Sequence, residues 1–208
     1  KDCVYKFYHH RNQASTMFNL VNRAQAAANL AFTSSIVITS VVIVLTLLQL
    51  YKDNVWSLNT TSITNIRPTA SIKQSFHYGS LNRKPKENAK IQFDLSSDLT
   101  PLFNWNTKQI FIYLTAEYPG KSEGSSNKVT FWDKIITNKE DANLTLTNQR
   151  GKYSVWDVEK SFRGRNATVR LEWNIQPYVG PLIFGSTEGF GEFQFADTQK
   201  KKESTKNT

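Results

Sequence analysis

The stretch that decides the fold is AQAAANLAFTSSIVITSVVIVLTLLQLY, residues 24–51, which contains no Asp, Glu, Lys, Arg or His. A helix needs roughly 20 mostly apolar residues to cross the hydrocarbon of a bilayer, and this stretch is longer. Its polar side chains belong to Ser, Thr, Asn and Gln, and the hydroxyls can donate hydrogen bonds to carbonyls of the same helix. The stretch therefore predicts one membrane-spanning helix.

Two other interpretations fit this stretch less well. A cleaved secretory signal has an apolar region of about 7–15 residues followed by a small-residue cleavage site, whereas this run is longer and ends in Leu47-Leu48-Gln49-Leu50-Tyr51. A helix buried in a soluble core shows polar positions at a period of about 3.6 residues, and residues 41–48 offer only Thr46. We therefore interpret the stretch as an uncleaved signal anchor.

The charges beside the span predict its orientation. Basic residues outnumber acidic ones before it, whereas Lys52 is balanced by Asp53 directly after it. By the positive-inside tendency, the N-terminal segment stays in the cytosol and the large C-terminal domain crosses the membrane, a single-pass type II topology. The acceptor sequences for N-glycosylation all follow the span, at Asn59, Asn143 and Asn166, as expected if that side is lumenal.

We divide the chain into a cytosolic segment (1–23), the signal-anchor helix (24–51), a linker leading into a first strand (52–69), a lumenal domain (70–196) and a basic tail (197–208). The roughly 150 residues after the span suffice for one domain with its own core. Residues 1–16 precede Met17, which would serve as a natural start, and we assign them no function beyond an upstream extension.

Composition limits the chemistry that the chain can carry. The only cysteine is Cys3, on the predicted cytosolic side, so the lumenal domain must be held together by its core and not by disulfides. Cys3, His9 and His10 lack the spacing of metal ligands, and no cofactor is expected. The formal net charge of +9 would allow nucleic-acid binding, but no recognition motif accompanies it.

Alternation of apolar and polar residues predicts an antiparallel β-sandwich for the lumenal domain. Ala89, Ile91, Phe93 and Leu95 share one face of a half-buried strand. Residues 110–114 are apolar on both faces, which indicates a strand that is covered on both sides or borders an interface. Further strands are predicted at 70–78, 129–136, 143–147, 153–158, 167–175 and 190–195, with the glycine-rich segment 185–191 as turns beside the last one.

The domain lacks a recognisable catalytic constellation. Its lone imidazole is His77, on a predicted strand, and no Gly-x-Ser-x-Gly elbow is present. A pair of carboxylates would permit glycan hydrolysis, but every candidate also fits a solvated strand face or a turn. These candidates are Asp94, Asp98, Glu117, Asp133, Asp157 and Glu172.

Four segments carry a resemblance to a known family, at residues 98–118, 129–136, 152–157 and 171–177. They include Asn-Trp-Asn-Thr-Lys-Gln at 104–109 and Trp-Asp-Lys-Ile at 132–135, in that order. These strings closely resemble signal peptidase complex subunit 3, the glycoprotein subunit family of the eukaryotic endoplasmic-reticulum signal peptidase. The likeness covers about residues 17–195, so the first 16 residues and the Lys-rich tail depart from the pattern.

The resemblance implies a single-pass protein whose lumenal β-sandwich packs on the catalytic subunit, a separate chain that supplies the Ser/His chemistry. This chain would then be a non-catalytic accessory subunit in the endoplasmic-reticulum membrane, with the catalytic subunit and the small membrane subunits as partners and translocating signal peptides met indirectly. The family's glycosylated Asn-x-Thr corresponds to Asn166. Our first candidates for the subunit interface are Phe103, Trp105, Lys108, Phe131, Trp132 and Lys134.

Two alternatives from other classes remain open on the sequence. One is a membrane-anchored lumenal glycan hydrolase that uses a pair of the carboxylates named above. The other is a translocon-associated binding module without a role in cleavage.

Overall fold

The computed structural model describes residues 19–74, 85–120, 122, 124–157, 161–162 and 164–195. The chain forms two compact units that divide between Val41 and Val42. The described residues of the first unit are helical apart from Asn19, which directly precedes the helix. The second unit contains the end of the helix together with the described β-strands.

Helix α1 runs from Leu20 to Lys52. It is the one helix of the described residues that is long and apolar enough to cross a membrane, as predicted. It begins before residue 24 because the Asn19 side chain caps it, accepting a hydrogen bond from the Val21 backbone N–H at 3.1 Å. The prediction that hydroxyls bond back to the helix is also confirmed, since Thr33, Ser35, Ser40 and Thr46 donate to carbonyls one turn earlier.

The strands form two antiparallel four-stranded sheets, which confirms the predicted β-sandwich. Sheet A has the order β1-β2-β5, with β6 also paired to β2, and sheet B has the order β4-β3-β7-β8. The strands are β1 (Ser62–Lys73), β2 (Lys86–Asp98), β3 (Thr107–Pro119), β4 (Ser126–Ile136), β5 (Asn143–Arg150), β6 (Val155–Trp156), β7 (Asn166–Pro177) and β8 (Ile183–Gln194). Short 3₁₀ turns lie at Val55–Ser57, Thr100–Leu102 and Lys139–Ala142.

The core lies between the two sheets and follows the alternation read from the sequence. Sheet A contributes Ala89, Ile91, Phe93 and Leu95 from β2, each at most 1% exposed. Sheet B contributes the inward residues of β3 and β7, which are Ile110, Ile112, Leu114, Val169, Leu171, Trp173 and Ile175. Phe93 meets Trp132 of β4 edge to face at 5.9 Å between ring centroids, so aromatic packing joins the two layers.

The first strand begins earlier than predicted, at Ser62 and not at residue 70. The prediction began after Pro68, but β1 is an edge strand, where a residue without a backbone N–H leaves no ladder partner unsatisfied. The second half of the predicted strand, including His77, lies outside the described residues.

The glycine-rich segment 185–191 is not a set of turns, because it lies inside β8. A Cβ at Gly185 would overlap the Trp173 ring, and a Cβ at Gly189 would overlap the Thr61 backbone carbonyl. Glycine is required at these two positions because β8 approaches a buried indole and the chain leading into β1. The Glu188 N–H donates to the Leu58 carbonyl at 3.0 Å, so this close approach ties β8 to the segment before β1.

Asp94 stabilises two irregularities in sheet A. The β1–β2 register shifts between Thr64 and Arg67, and the β2–β5 register shifts between Phe93 and Leu95. The Asp94 carboxylate accepts hydrogen bonds from the Asn65 amide at 3.0 Å and from the Asn148 backbone N–H at 2.5 Å. Both asparagines have left-handed backbones, a conformation that asparagine tolerates better than most residues.

The Asn148 N–H, followed by the Asn65 amide, lowers the pKa of Asp94 below its usual value. A carboxylate with a lowered pKa adds stability above its unfolded value of about 3.9 and loses it as the pH falls through the folded value. We therefore expect Asp94→Asn to be less stable than the wild type at pH 6, with a gap that closes in strong acid. Urea unfolding of the full chain across this pH range measures it, and a gap independent of pH would contradict the assignment.

Candidate subunit interface and membrane-proximal junction

The six residues predicted for an interface separate into exposed and buried groups. Trp105 is 58% exposed, and Lys108 is exposed beside it at the start of β3. Phe103 and Lys134 are half-buried. Phe131 and Trp132 are both buried, at 0% and 3% exposure. Neighbouring residues of a regular strand would face opposite sides, but the β3–β4 register shifts here and leaves Phe131 as the extra residue of a bulge. The exposed surface at this position therefore belongs to Trp105 and Lys108.

A larger apolar surface lies on the outer face of sheet B. Strand register aligns Ile135 of β4, Phe111 of β3, Asn174 of β7 and Phe184 of β8 in one row across the sheet. Ile135, Phe111 and Phe184 are 53%, 37% and 60% exposed. β3 is the apolar strand predicted from residues 110–114, and the residues that the structure describes cover only one of its faces. Three large apolar side chains in one solvent-facing row are typical of a protein-binding surface.

Beside this row runs a polar row centred on Glu172. Glu172 forms an ion pair with Lys128 and accepts a hydrogen bond from the Thr115 hydroxyl at 2.9 Å. Tyr113 stacks on Phe111 with ring centroids 5.4 Å apart. Burial and then the negative charge of Glu172 raise the pKa of the Tyr113 phenol, so Tyr113 is neutral at physiological pH. The outer face thus has an apolar row beside polar side chains that are hydrogen-bonded or ion-paired. Protein interfaces commonly have this arrangement, with an apolar centre and a polar rim.

Asn106 joins the end of helix α1 to the sandwich. Its side chain is 2% exposed and donates to the Thr46 hydroxyl at 3.0 Å and to the Val179 carbonyl at 2.8 Å. Its amide oxygen accepts the Val179 N–H at 3.1 Å, and its backbone carbonyl accepts the Tyr178 N–H at 2.8 Å. One buried amide therefore fixes three elements: the helix, the turn before β3 and the β7–β8 loop, residues 178–182.

The β7–β8 loop packs directly on helix α1. Gly180 has φ +124°, and a Cβ there would lie 3.1 Å from Ile43. The crevice between helix and loop is lined by uncharged residues: Ile43, Thr46, Leu47, Pro177, Val179, Gly180, Pro181 and Ile183. Sequence analysis did not find this junction. The only local signal was Asn106 in an Asn-Trp-Asn turn, and a turn asparagine ordinarily bonds its own neighbours.

Five of the six carboxylates considered for glycan hydrolysis have structural partners. Asp94 bonds to Asn65 and Asn148, and Asp98 accepts the Thr100 N–H at 3.0 Å. The other three form ion pairs: Asp133 with Lys152, Asp157 with Arg165, and Glu172 with Lys128. In the part of the chain that the structure describes, no three His, Cys, Asp or Glu residues cluster so as to hold a metal ion. Cys3, His9 and His10 lie outside that part.

The three N-glycosylation sequons lie at exposed positions. Asn59 precedes β1, Asn143 opens β5 and Asn166 opens β7. Asn166 also borders an open cavity of about 750 Å³ whose walls include Glu117, Gly124 and Glu192. Each acceptor side chain is therefore accessible to a transferred glycan.

Comparisons with known proteins agree on one family. The family model described as "Signal peptidase subunit" matches residues 17–198. The chain is 68% identical over 188 residues to signal peptidase complex subunit 3 of Debaryomyces hansenii, an alignment that covers 90% of this chain and 99% of the relative. Identity to the Saccharomyces cerevisiae protein of that name is 45% over 174 residues, covering 83% of this chain and 94% of the relative. Identity to the Homo sapiens protein is 40% over 111 residues, covering 52% and 60%. The chain belongs to the signal peptidase subunit family.

Proposed function

We propose that this chain is a non-catalytic accessory subunit that supports signal-peptide removal by holding the catalytic subunit of the signal peptidase complex in place. Membership of the family supports a role in that complex. The observation that carries the finer proposal is the outer face of sheet B, where Ile135, Phe111 and Phe184 form an apolar row that no described part of the chain covers. A scaffold needs such a docking face, whereas a hydrolase needs a pair of free carboxylates.

The catalytic subunit is the partner that we assign to this face. The contact would have the apolar row as its buried centre, with Tyr113 and Glu172 at the polar margin and Lys108 at the start of β3. Large aromatic side chains at the centre of an interface usually carry most of the binding free energy. The small membrane subunits would contact the helix, and translocating signal peptides would be met indirectly.

We assign the chain to the endoplasmic-reticulum membrane as a single-pass type II protein. The excess of basic residues before the span supports a cytosolic N-terminus. The exposed sequons after the span support a lumenal sandwich. Tight bonding of Asn106 to Thr46 supports a sandwich held close to the membrane surface, where the cleavage site of a signal peptide emerges.

We expect a glycan on Asn166, because its side chain is exposed at the start of β7 beside an open cavity. Enzymatic removal of N-glycans should increase the gel mobility of the wild-type chain. In Asn166→Gln that increase should be lost or reduced, while the matched variants Asn59→Gln and Asn143→Gln show which other sites are occupied. An unchanged shift in Asn166→Gln would remove this site from the proposal.

Copurification tests the assignment of the partner. The tagged full chain, solubilised in mild detergent, is expected to retain the catalytic subunit in near-stoichiometric amount through washing. Purified chain free of the catalytic subunit should show no glycan hydrolysis. Copurification with translocon components but without the peptidase would instead support the binding-module alternative, and hydrolytic activity lost with one carboxylate would support the enzyme.

A further inference from the structure

We propose that the β7–β8 loop, residues 178–182, inserts into the interfacial region of the lipid bilayer as a second membrane contact beside helix α1. The occupant of this surface is the lipid headgroup and upper acyl region, not a protein. The inference rests on the helix spanning the membrane and is independent of any contact with the catalytic subunit.

The position of the loop along helix α1 indicates its depth in the membrane. It packs against Ile43, Thr46 and Leu47 within the second compact unit. Thr46 precedes Lys52, the first charged residue after the span, by a helical rise of about 9 Å. The headgroup region is about 5–8 Å thick on each side of the hydrocarbon. A loop that packs on the helix at Thr46 therefore reaches the boundary between headgroups and acyl chains if Lys52 lies at the membrane surface.

The composition of the loop fits that environment. Residues 173–187 contain no Asp, Glu, Lys, Arg or His. Tyr178 and Leu182 are 69% and 51% exposed, and the aromatic Trp56, just past the helix, is 42% exposed. Tyrosine and tryptophan concentrate at membrane interfaces because their rings are apolar while their polar atoms reach water. The exposed side chains of Tyr178, Leu182 and Trp56 therefore extend the apolar surface of the neighbouring membrane-spanning helix.

Several backbone polar groups of the loop have hydrogen-bond partners within the protein, which suits a segment that enters a membrane interface. Irregular backbone is unfavourable near hydrocarbon because its N–H and C=O groups lose water. Here Asn106 satisfies the Tyr178 N–H, the Val179 N–H and the Val179 carbonyl. These three backbone groups are bonded to protein, while the Tyr178 and Leu182 side chains are exposed. The arrangement resembles an interfacial anchor that enters the bilayer by about 5–10 Å.

The test uses the full chain alone, reconstituted at high lipid ratio into phosphatidylcholine vesicles. In a Cys3→Ser background, Leu182→Cys or Tyr178→Cys receives an environment-sensitive NBD label. Ser126→Cys is the matched control, because Ser126 is exposed at the opposite end of sheet B, about 40 Å along β3 from the junction. Quenching is measured with aqueous iodide and with lipids that carry a doxyl group near the headgroup.

We expect the label at 182 or 178 to be quenched by the doxyl lipid and to be at least about fivefold less sensitive to iodide than the label at 126, as for an interfacial segment. Equal iodide quenching at both ends of the sandwich, without doxyl quenching, would overturn the proposal. Protection from both quenchers would also overturn it, because protein would then cover the loop. Since the vesicles hold no catalytic subunit, failure here leaves the proposed function untouched.

Discussion

Replacing Asn106 with leucine is expected to destabilise the second compact unit by about 2–4 kcal/mol, the largest effect of any single change that we consider. The substitution nearly preserves side-chain volume but removes the partners of the Val179 N–H and C=O and of the Thr46 hydroxyl. A buried donor or acceptor left unsatisfied costs about 1–3 kcal/mol. Part of that cost is recovered because the loop can move and admit water.

Thermal unfolding of the full chain in detergent, followed by tryptophan fluorescence, measures this loss. Hydrogen exchange at the Val179 amide should accelerate in the same variant, because this N–H loses the Asn106 side-chain oxygen as its acceptor. Asn138→Leu is the matched control, since Asn138 is exposed and makes no side-chain capping bond. Thr46→Val removes the bond from Asn106 and the bond that Thr46 donates to the Val42 carbonyl, and it should cost about 1–2 kcal/mol. An Asn106→Leu chain with wild-type unfolding and exchange would show that Asn106 does not hold the junction.

The second large effect is expected from Phe111→Lys on the outer face of sheet B. A charge at the centre of an apolar docking row would be desolvated without a partner, so affinity for the catalytic subunit should fall at least about tenfold. The sandwich itself should lose little stability, because Phe111 lies on the outer face, is 37% exposed and stacks on the Tyr113 ring. An aromatic pair of this kind contributes about 1 kcal/mol.

Copurification of the tagged variants with the catalytic subunit measures the expected loss. Ile72→Lys on β1 is the matched control, since Ile72 is an apolar strand residue that is 57% exposed on the other sheet. Thermal unfolding of both variants should stay near the wild type. Equal retention of the catalytic subunit by Phe111→Lys, Ile72→Lys and the wild type would place the contact elsewhere.

Much of the fold could be predicted because residues that are buried at regular intervals along a strand appear as regularly spaced apolar residues in the sequence. The helix is an uninterrupted apolar run, and β2 and β7 alternate because one face of each packs in the core and the other meets water. The start of β1 was missed because Pro68 is tolerated on an edge strand, and edge position depends on topology. The beginning of β8 was missed because its glycines reflect close contacts with Trp173 and Thr61, which are distant in sequence.

The candidate sites were less predictable because they depend on which strands become neighbours. Residues 110–114 signalled a strand that borders an interface, and Phe111 does face outward. The row that it forms with Ile135 and Phe184 depends on pairing between β4, β3, β7 and β8. Phe131 and Trp132 were chosen because polar residues flank them, but both are buried at a bulge in β4, and a bulge depends on the pairing with β3. Asn106 stands in a turn-like Asn-Trp-Asn string, but that string does not reveal its partners, which are 60 and 73 residues away.

The measurement that tests the central claim most directly is signal-peptide removal in membranes depleted of this chain. The amount of catalytic subunit is quantified in the same membranes and held at the wild-type level, so that loss of the enzyme does not mimic loss of its support. We predict that uncleaved precursor accumulates, that the wild-type chain restores processing and that Phe111→Lys does not. Cleavage at the wild-type rate in the absence of this chain, with the catalytic subunit intact, would contradict the account.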